Sequence, residues 1–215
     1  MRGRQLTLVS HDVLPPSVAD LEGILLGPGQ LARMGGTARL SVVVDRGWRQ
    51  HALCAAFRER GLPGEAASTE DGQPSVRTPF LAALGPAAAR WVKGALKGVP
   101  EGFVLDGPRL RLWAIAAGQQ DGNGYLFVLG AHDDPNVWSS AGAALAAAGL
   151  PGTFLQHRPR PEPPGETTPG ATQETGRGRF ADGPAYRVTG RRRLARLAEL
   201  VGDPPPGAEP ADWPT

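Results

Sequence analysis

Of its 215 residues the chain has a single cysteine, Cys54, and that scarcity excludes both an intrachain disulfide and a cysteine-based zinc site. Cys54 lies in HALCAAF, where a small buried hydrophobe is the plain reading and a reactive thiol the alternative. Histidine is equally sparse: His11, His51, His132 and His157 show no metal-ligand spacing, and HDD at 132–134 reads as a helix-capping turn. No run reaches the ~18 uninterrupted apolar residues of a membrane span. The stretch MRGRQLTLVSHD lacks a secretory apolar region. The expectation is a soluble cytoplasmic protein, nucleoid-associated if it binds DNA, with no membrane partner, no metal and no cofactor. A P-loop, a nucleophile elbow and a dinucleotide fingerprint are also missing. LGPGQ and GQQDGNG are glycine-rich but follow helices, the wrong context for cradling phosphate. Formal net charge is only +2, so any attraction for polyanions has to come from local patches.

What is present is apolar patterning. A 40% hydrophobic content suffices for one large domain or two small units sharing a core. Two segments have little to bury: 158–183, rich in Pro, Gly, Thr and Glu, and the tail DPPPGAEPADWPT, where only Trp213 is suited to docking. Residues 33–44 (RMGGTARLSVVV) alternate. Arg33, Thr37, Arg39 and Ser41 fall on one face; Met34, Ala38, Leu40, Val42 and Val44 fall on the other, as in a half-buried strand. Helical spacing follows over 48–61, with Leu53, Ala56, Phe57 and Arg60 on one stripe and a terminal glycine. VRTPF (76–80) predicts a short strand, and 81–96 a helix with Leu81, Leu84, Ala88, Trp91 and Ala95 aligned.

The second half repeats this order: a helix over about 108–117, a strand at 124–129, a helix over 136–149, a strand at 185–190 and a helix over 191–202. That last helix turns Leu194, Leu197, Ala198 and Val201 inward and Arg191, Arg192, Arg193 and Arg196 outward. GLPG occurs at 61–64 and again at 149–152, and LEGILLGPGQL (21–31) is echoed by LRLWAIAAGQQ (110–120). An internal duplication packs naturally as a pseudo-dimer. The expected division is an extension at 1–17, a first half at 18–100, a second half at 101–202 with a flexible insertion at 158–183, and a Pro-rich tail at 203–215. The expected assembly is a monomer with internal pseudo-symmetry.

These segments carry a resemblance. LEGILLGPGQL resembles the LAGLIDADG motif helix of homing endonucleases, with Leu21, Gly23, Gly27 and Gly29 in register. LRLWAIAAGQ resembles the variant LAYWFMDDGS through Leu110, Trp113 and Gly118, and LKGVPEGFVLDGPRLRLW (96–113) is similar to the family's lysine, Val-Pro and spacer before that motif. YRVTGRRRLARLAELVGDPPPG resembles its closing strand and helix, so the likeness spans residues 18–205. It implies an α+β fold, a pseudo-two-fold αββαββα duplication with two antiparallel sheets forming a saddle over duplex DNA. The two motif helices would pack side by side, with Gly23 and Gly27 facing Leu112 and Ala116.

In the family, an acid before the final glycine of each motif holds metal at the saddle floor. Here those positions are Pro28 and Ala117, and the neighbouring acid positions are Leu26 and Ala116. Metal-dependent phosphodiester hydrolysis needs hard oxygen ligands, which these side chains do not supply. Asp121, in the expected turn QQDGNG, is one displaced carboxylate in place of two converging ones.

The residues suited to DNA are Gln30 and Gln119 after the motif glycines, and Arg33, Thr37 and Arg39 on the polar strand face. Arg77 and Arg187 occupy matching strands, Lys93 and Lys97 precede the second motif, and Arg191 and Arg192 open the last helix. Lys97 aligns with the family's lysine. For each of these the alternative is an ordinary solvated face. The reading is a non-catalytic duplex-DNA-binding protein, a bacterial transcriptional or developmental regulator. The alternatives are an endonuclease with displaced acids, or a protein- or RNA-interaction module on the same fold.

Overall fold

The apolar run at 21–31 stops early because its backbone is redirected into a sheet. A computed structural model describes residues 15–94, 96–130, 135–156 and 183–214. The N-terminal extension up to residue 14, the HDD turn, His11, His132, His157 and nearly all of the insertion lie outside the described residues. Ser17 opens the chain with a capping box: its hydroxyl accepts from Ala19 N (3.3 Å) and Asp20 accepts from Ser17 N (3.0 Å). A 3-10 turn, Val18–Leu21, then leads into α1 (Glu22–Leu26). Gly29 N donates back to Ile24 O at 2.8 Å, and the chain enters β1 (Gln30–Met34).

Gly35, at φ +59°, and Gly36 form a tight turn into β2 (Thr37–Val43). Residues 33–44 are therefore a hairpin rather than one strand, and Met34 is 59% exposed instead of buried. Ala38, Leu40 and Val42 do point into the core, as the alternation predicts. The chain continues through α2 (Gly47–Glu59), β3 (Glu65–Ser68), β4 (Pro74–Arg77), a 3-10 turn at Ala82–Leu84 and α3 (Gly85–Trp91). The helix expected over 81–96 ends at Trp91; β5 (Val92–Lys93) and β6 (Leu96–Lys97) follow as a small hairpin.

Asp106 caps α4 (Gly107–Ala117) by accepting from Arg109 N at 3.0 Å. The stretch expected as a turn at QQDGNG is instead β7 (Gly118–Asp121) and its turn into β8 (Gly124–Val128). Then come α5 (Pro135–Ala147), β9 (Thr153–Leu155), β10 (Ala185–Thr189) and α6 (Arg191–Val201).

The two antiparallel sheets have the orders β1-β2-β4-β3 and β7-β8-β10-β9, so the same αββαββα unit occurs twice. The motif helices α1 and α4 pack together where the units meet. A side chain at Gly23 would strike the carbonyl of Arg109, and one at Gly27 would come within 2.5 Å of the Trp113 ring. The glycines thus face Arg109 and Trp113, one turn apart on α4, and not Leu112 and Ala116. Trp113 Nε1 also donates to Val128 O (2.9 Å), tying this contact to the second sheet.

The Pro-rich tail, expected to have little to bury, is packed. Trp213 is 3% exposed and donates to Gly202 O at 2.8 Å. Asp212 accepts from Trp48 Nε1 (2.9 Å) and pairs with Arg46 (3.4 Å), while its carbonyl accepts from Tyr125 OH (3.0 Å). The tail therefore bridges α2 of the first unit to the second sheet. Buried Arg49 completes the contact: it pairs with Asp45 (2.8 Å) and Asp212 (3.5 Å) and donates to Ala114 O, Ile115 O and Gly118 O. Those carbonyls belong to the end of α4, where helices leave acceptors unpaired and favour positive charge.

Candidate nucleic-acid interface

In an antiparallel ladder, directly opposed residues share a face. In the first sheet Gln30 pairs with Ser41, Ser41 with Arg77 and Arg77 with Glu65. In the second, Gln119 pairs with Leu126, Leu126 with Arg187 and Arg187 with Thr153. Each sheet thus carries one row running Gln, an intervening residue, Arg, beginning just after the end of its motif helix. Both rows lie on the face opposite the helices: Ala38, Leu40 and Val42 face the core in one sheet, while Phe127 stacks on Trp113 and Tyr186 donates to Trp138 O in the other.

Arg39 and Thr37 join the first row's face, with the Arg39 guanidinium 4.9 Å from the centre of the Phe80 ring. Thr37 is also structural, donating to Met34 O at 2.7 Å across the hairpin turn. Arg33 does not join them. It pairs in register with Ala38, on the helix side, beside Gly85, Pro86 and Ala89. The expectation that Arg33 and Arg39 share a face fails because the Gly35–Gly36 turn reverses the chain between them.

Arg77 is exposed and, among the described residues, carries no ion pair. Arg187 differs: its Nε lies 2.7 Å from Asp121 Oδ2, and its Nη2 donates to Asp121 O (3.1 Å) and Asn123 Oδ1 (3.3 Å). Arg191 and Arg192 are exposed in the first turn of α6, which packs on α4, so they belong to the helix layer and to neither row. Lys93 and Lys97 alternate along their hairpin: Lys97 pairs with Val92, Lys93 with Leu96, and Lys93 is exposed.

Lys97 reaches the end of the first motif. Its Nζ donates to Gly27 O (2.7 Å) and Gly29 O (3.0 Å), the two carbonyls flanking Pro28. Burial alone pushes this ammonium down to about 7, with no carboxylate to hold it up. Pro28 is buried against Gly130, where a side chain would come within 2.9 Å of the proline, and Ala117 is buried as well. The donor set does not fit a bridging divalent ion. Both acid positions are apolar, Asp121 is engaged by Arg187, and no group of three or more His, Cys, Asp or Glu converges among the described residues.

Sequence reasoning missed three parts of this arrangement: Asp121 as the partner of Arg187, Arg49 as the cap of α4, and the tail carboxylate Asp212. No local pattern signals them, because each pairs with a residue distant in the chain or on another strand. No helix among the described residues is long and apolar enough to cross a membrane.

No protein-family model matches the sequence, and neither does any curated protein. Among solved structures, the homing endonuclease I-WcaI bound to its DNA recognition sequence aligns with a TM-score of 0.55 and 10% identity, over 85% of this chain and 78% of that one. I-DmoI in complex with DNA and Mn aligns at 0.44 and 10% identity, over 87% and 99% of the two chains. The repeated αββαββα unit, its paired motif helices and the two matching sheets are those of the LAGLIDADG homing-endonuclease fold.

Proposed function

We propose that the chain is a duplex-DNA-binding protein that does not cut its target. The observation that carries this reading is the pair of matching glutamine–arginine rows, one on each sheet's face opposite the helices, set beside two motif ends that have no metal-binding acid. Glutamine and arginine are the side chains that read adenine and guanine edges bidentately, and arginine also meets phosphate. The solved relative I-WcaI was captured on its DNA recognition sequence, which supports the same use of the fold here.

In this reading residues 18–100 and 101–202 are the two halves of the saddle. Arg39 and Arg77 anchor phosphates on the first sheet, Gln30 and Gln119 face bases near the floor, and Arg187 faces the duplex from the second sheet. Lys97 supplies the positive charge at the floor. Pro28 and Ala117 bring no anion there, so phosphate meets no repelling carboxylate. Lys93, Arg191 and Arg192 flank the surface. Arg191 and Arg192 at the start of α6 oppose the helix dipole, which favours an outside anion. Because the halves differ in sequence, an asymmetric site bound by a monomer is expected. A transcriptional or developmental regulator in a bacterium fits that behaviour.

The test is selection of bound duplexes from a random DNA pool, followed by titration of the recovered sequence. Affinity should fall steeply with salt as counterions are released. Failure to retain any duplex at low salt would sink the proposal. The endonuclease alternative has its own check: recovered duplex incubated with magnesium or manganese should remain intact.

A further inference from the structure

The two glutamine–arginine rows are matched, but the charge beside them is not. In the first unit the residue two beyond Gln30 is Ala32, which is exposed and lies opposite Arg39. In the second unit the residue two beyond Gln119 is Asp121, opposite Gly124. The same register position therefore holds a methyl group in one sheet and a carboxylate in the other. The position opposite it holds a guanidinium in one and no side chain in the other.

The consequence is local. Arg39 and Arg77 carry no ion pair among the described residues, whereas Arg187 is held by Asp121 at 2.7 Å and by two further acceptors. The Arg187 and Asp121 side chains are 33% and 43% exposed, so the pair is reached by solvent and is not part of the core. Leu126 and Ala185, on the same face, are buried and apolar. The first sheet presents Arg39 and Arg77, neither of them in an ion pair among the described residues, with the exposed Glu65 opposite Arg77, and the second presents the Arg187–Asp121 pair.

We infer that Asp121 is a built-in brake on polyanion binding: it neutralises Arg187 and repels phosphate, which leaves the first sheet as the anchoring surface for the duplex. This inference rests on the DNA-binding reading above. For Arg187 to meet a phosphate, its contact with Asp121 has to be broken or shared, and the carboxylate then faces the phosphate directly. The gain of the new contact is offset by the loss of the old one. A site held mainly from one side also leaves the second sheet free to follow sequence-dependent shape, since weak electrostatic hold costs little when the register changes.

The experiment uses the full chain, a mixed-sequence synthetic duplex and fluorescence anisotropy at several salt concentrations. D121N keeps an acceptor for Arg187 Nε while removing the charge, so the β7–β8 hairpin retains its tether. It should bind the duplex about three- to tenfold more tightly at low salt and steepen the log–log salt slope by about one. The reciprocal variant A32D places the brake opposite Arg39 on an exposed position; it should weaken binding by a similar factor and flatten the slope. Unchanged or weaker binding by D121N overturns the inference, and so does unchanged binding by A32D. Those results would leave the DNA-binding reading intact. Absence of any duplex affinity in the wild-type chain overturns that reading instead, before either variant is considered.

Discussion

The two motif helices end in the same way on the page and in different ways in space. Just beyond α1, the carbonyls of Gly27 and Gly29 accept from the ammonium of Lys97. α4 hands its own to Arg49, a fully buried guanidinium on the helix side that is paired with Asp45 and with the tail residue Asp212. Both solutions answer one requirement, backbone acceptors left unpaired where a motif ends inside a protein. They differ in their partners: Arg49 is held by two carboxylates, whereas Lys97 has no ion pair among the described residues.

The largest expected effect comes from removing the scaffold cation. Arg49→Met strands three buried carbonyls and takes one of two cationic partners from Asp212, and should cost about 3–5 kcal/mol in urea unfolding. The matching change at the other helix, Lys97→Met, should cost less than about 1 kcal/mol, because relief of the buried ammonium offsets the two lost hydrogen bonds. Equal losses would break the comparison.

Next is the contact between the helices. Gly23→Ala forces a methyl group against the Arg109 carbonyl and should destabilise by about 1–3 kcal/mol. Gly36→Ala, at a position with open space around it, should stay within about 0.5 kcal/mol of the wild type in the same measurement.

The comparison between the sheets is sharpened by DNA titration. Arg39→Ala combined with Arg77→Ala should weaken duplex binding by one to two orders of magnitude at low salt, roughly one unit of salt slope per arginine. Arg187→Ala made together with D121N removes the pair without leaving a bare carboxylate, and should change binding by no more than about threefold. A larger loss from that double variant would show that the second sheet, not the first, anchors the duplex.

The smallest effect is that of pH. Lys97 is lowered to about 7 by burial, against about 10.4 in an unfolded chain. The charged form binds phosphate, so duplex affinity should fall as pH rises from 6 to 8, by a few-fold. For stability the sign is opposite. The folded state disfavours the proton, so the burden of this group is full below about 7 and is relieved as pH climbs towards 10.4. Lys97→Met should flatten both dependences.

Long apolar elements were legible because their periodicity is set by what they bury. The core stripes of α2, α4 and α6 and the alternation of β2 follow directly from hydrophobic spacing. The short strands β1, β3, β7 and β9 were not, since three to five residues are too few for a period to show and their pairing comes from backbone hydrogen bonds to neighbours. The candidate site divides in the same way. Arg77 and Arg187 could be matched by eye because their strands repeat, but Arg33 could not be placed. Two glycines decide its face, and only the turn they make shows that the chain reverses. Trp213 stood out in a polar tail; that Asp212 beside it would be drawn into a buried pair with Arg49 did not.

By itself the sequence determined the duplicated order of elements, the apolar motif helices with small residues at their contact, and the absence of a carboxylate at Pro28 and Ala117. These are properties of residue type and local period, and they hold in any packing of the chain. Tertiary structure alone decided which cations are uncompensated. Charge pairing acts through space over a few ångströms, and nothing in the order of residues brings Asp121 to Arg187, Asp212 to Arg49, or Lys97 to the carbonyls on either side of Pro28.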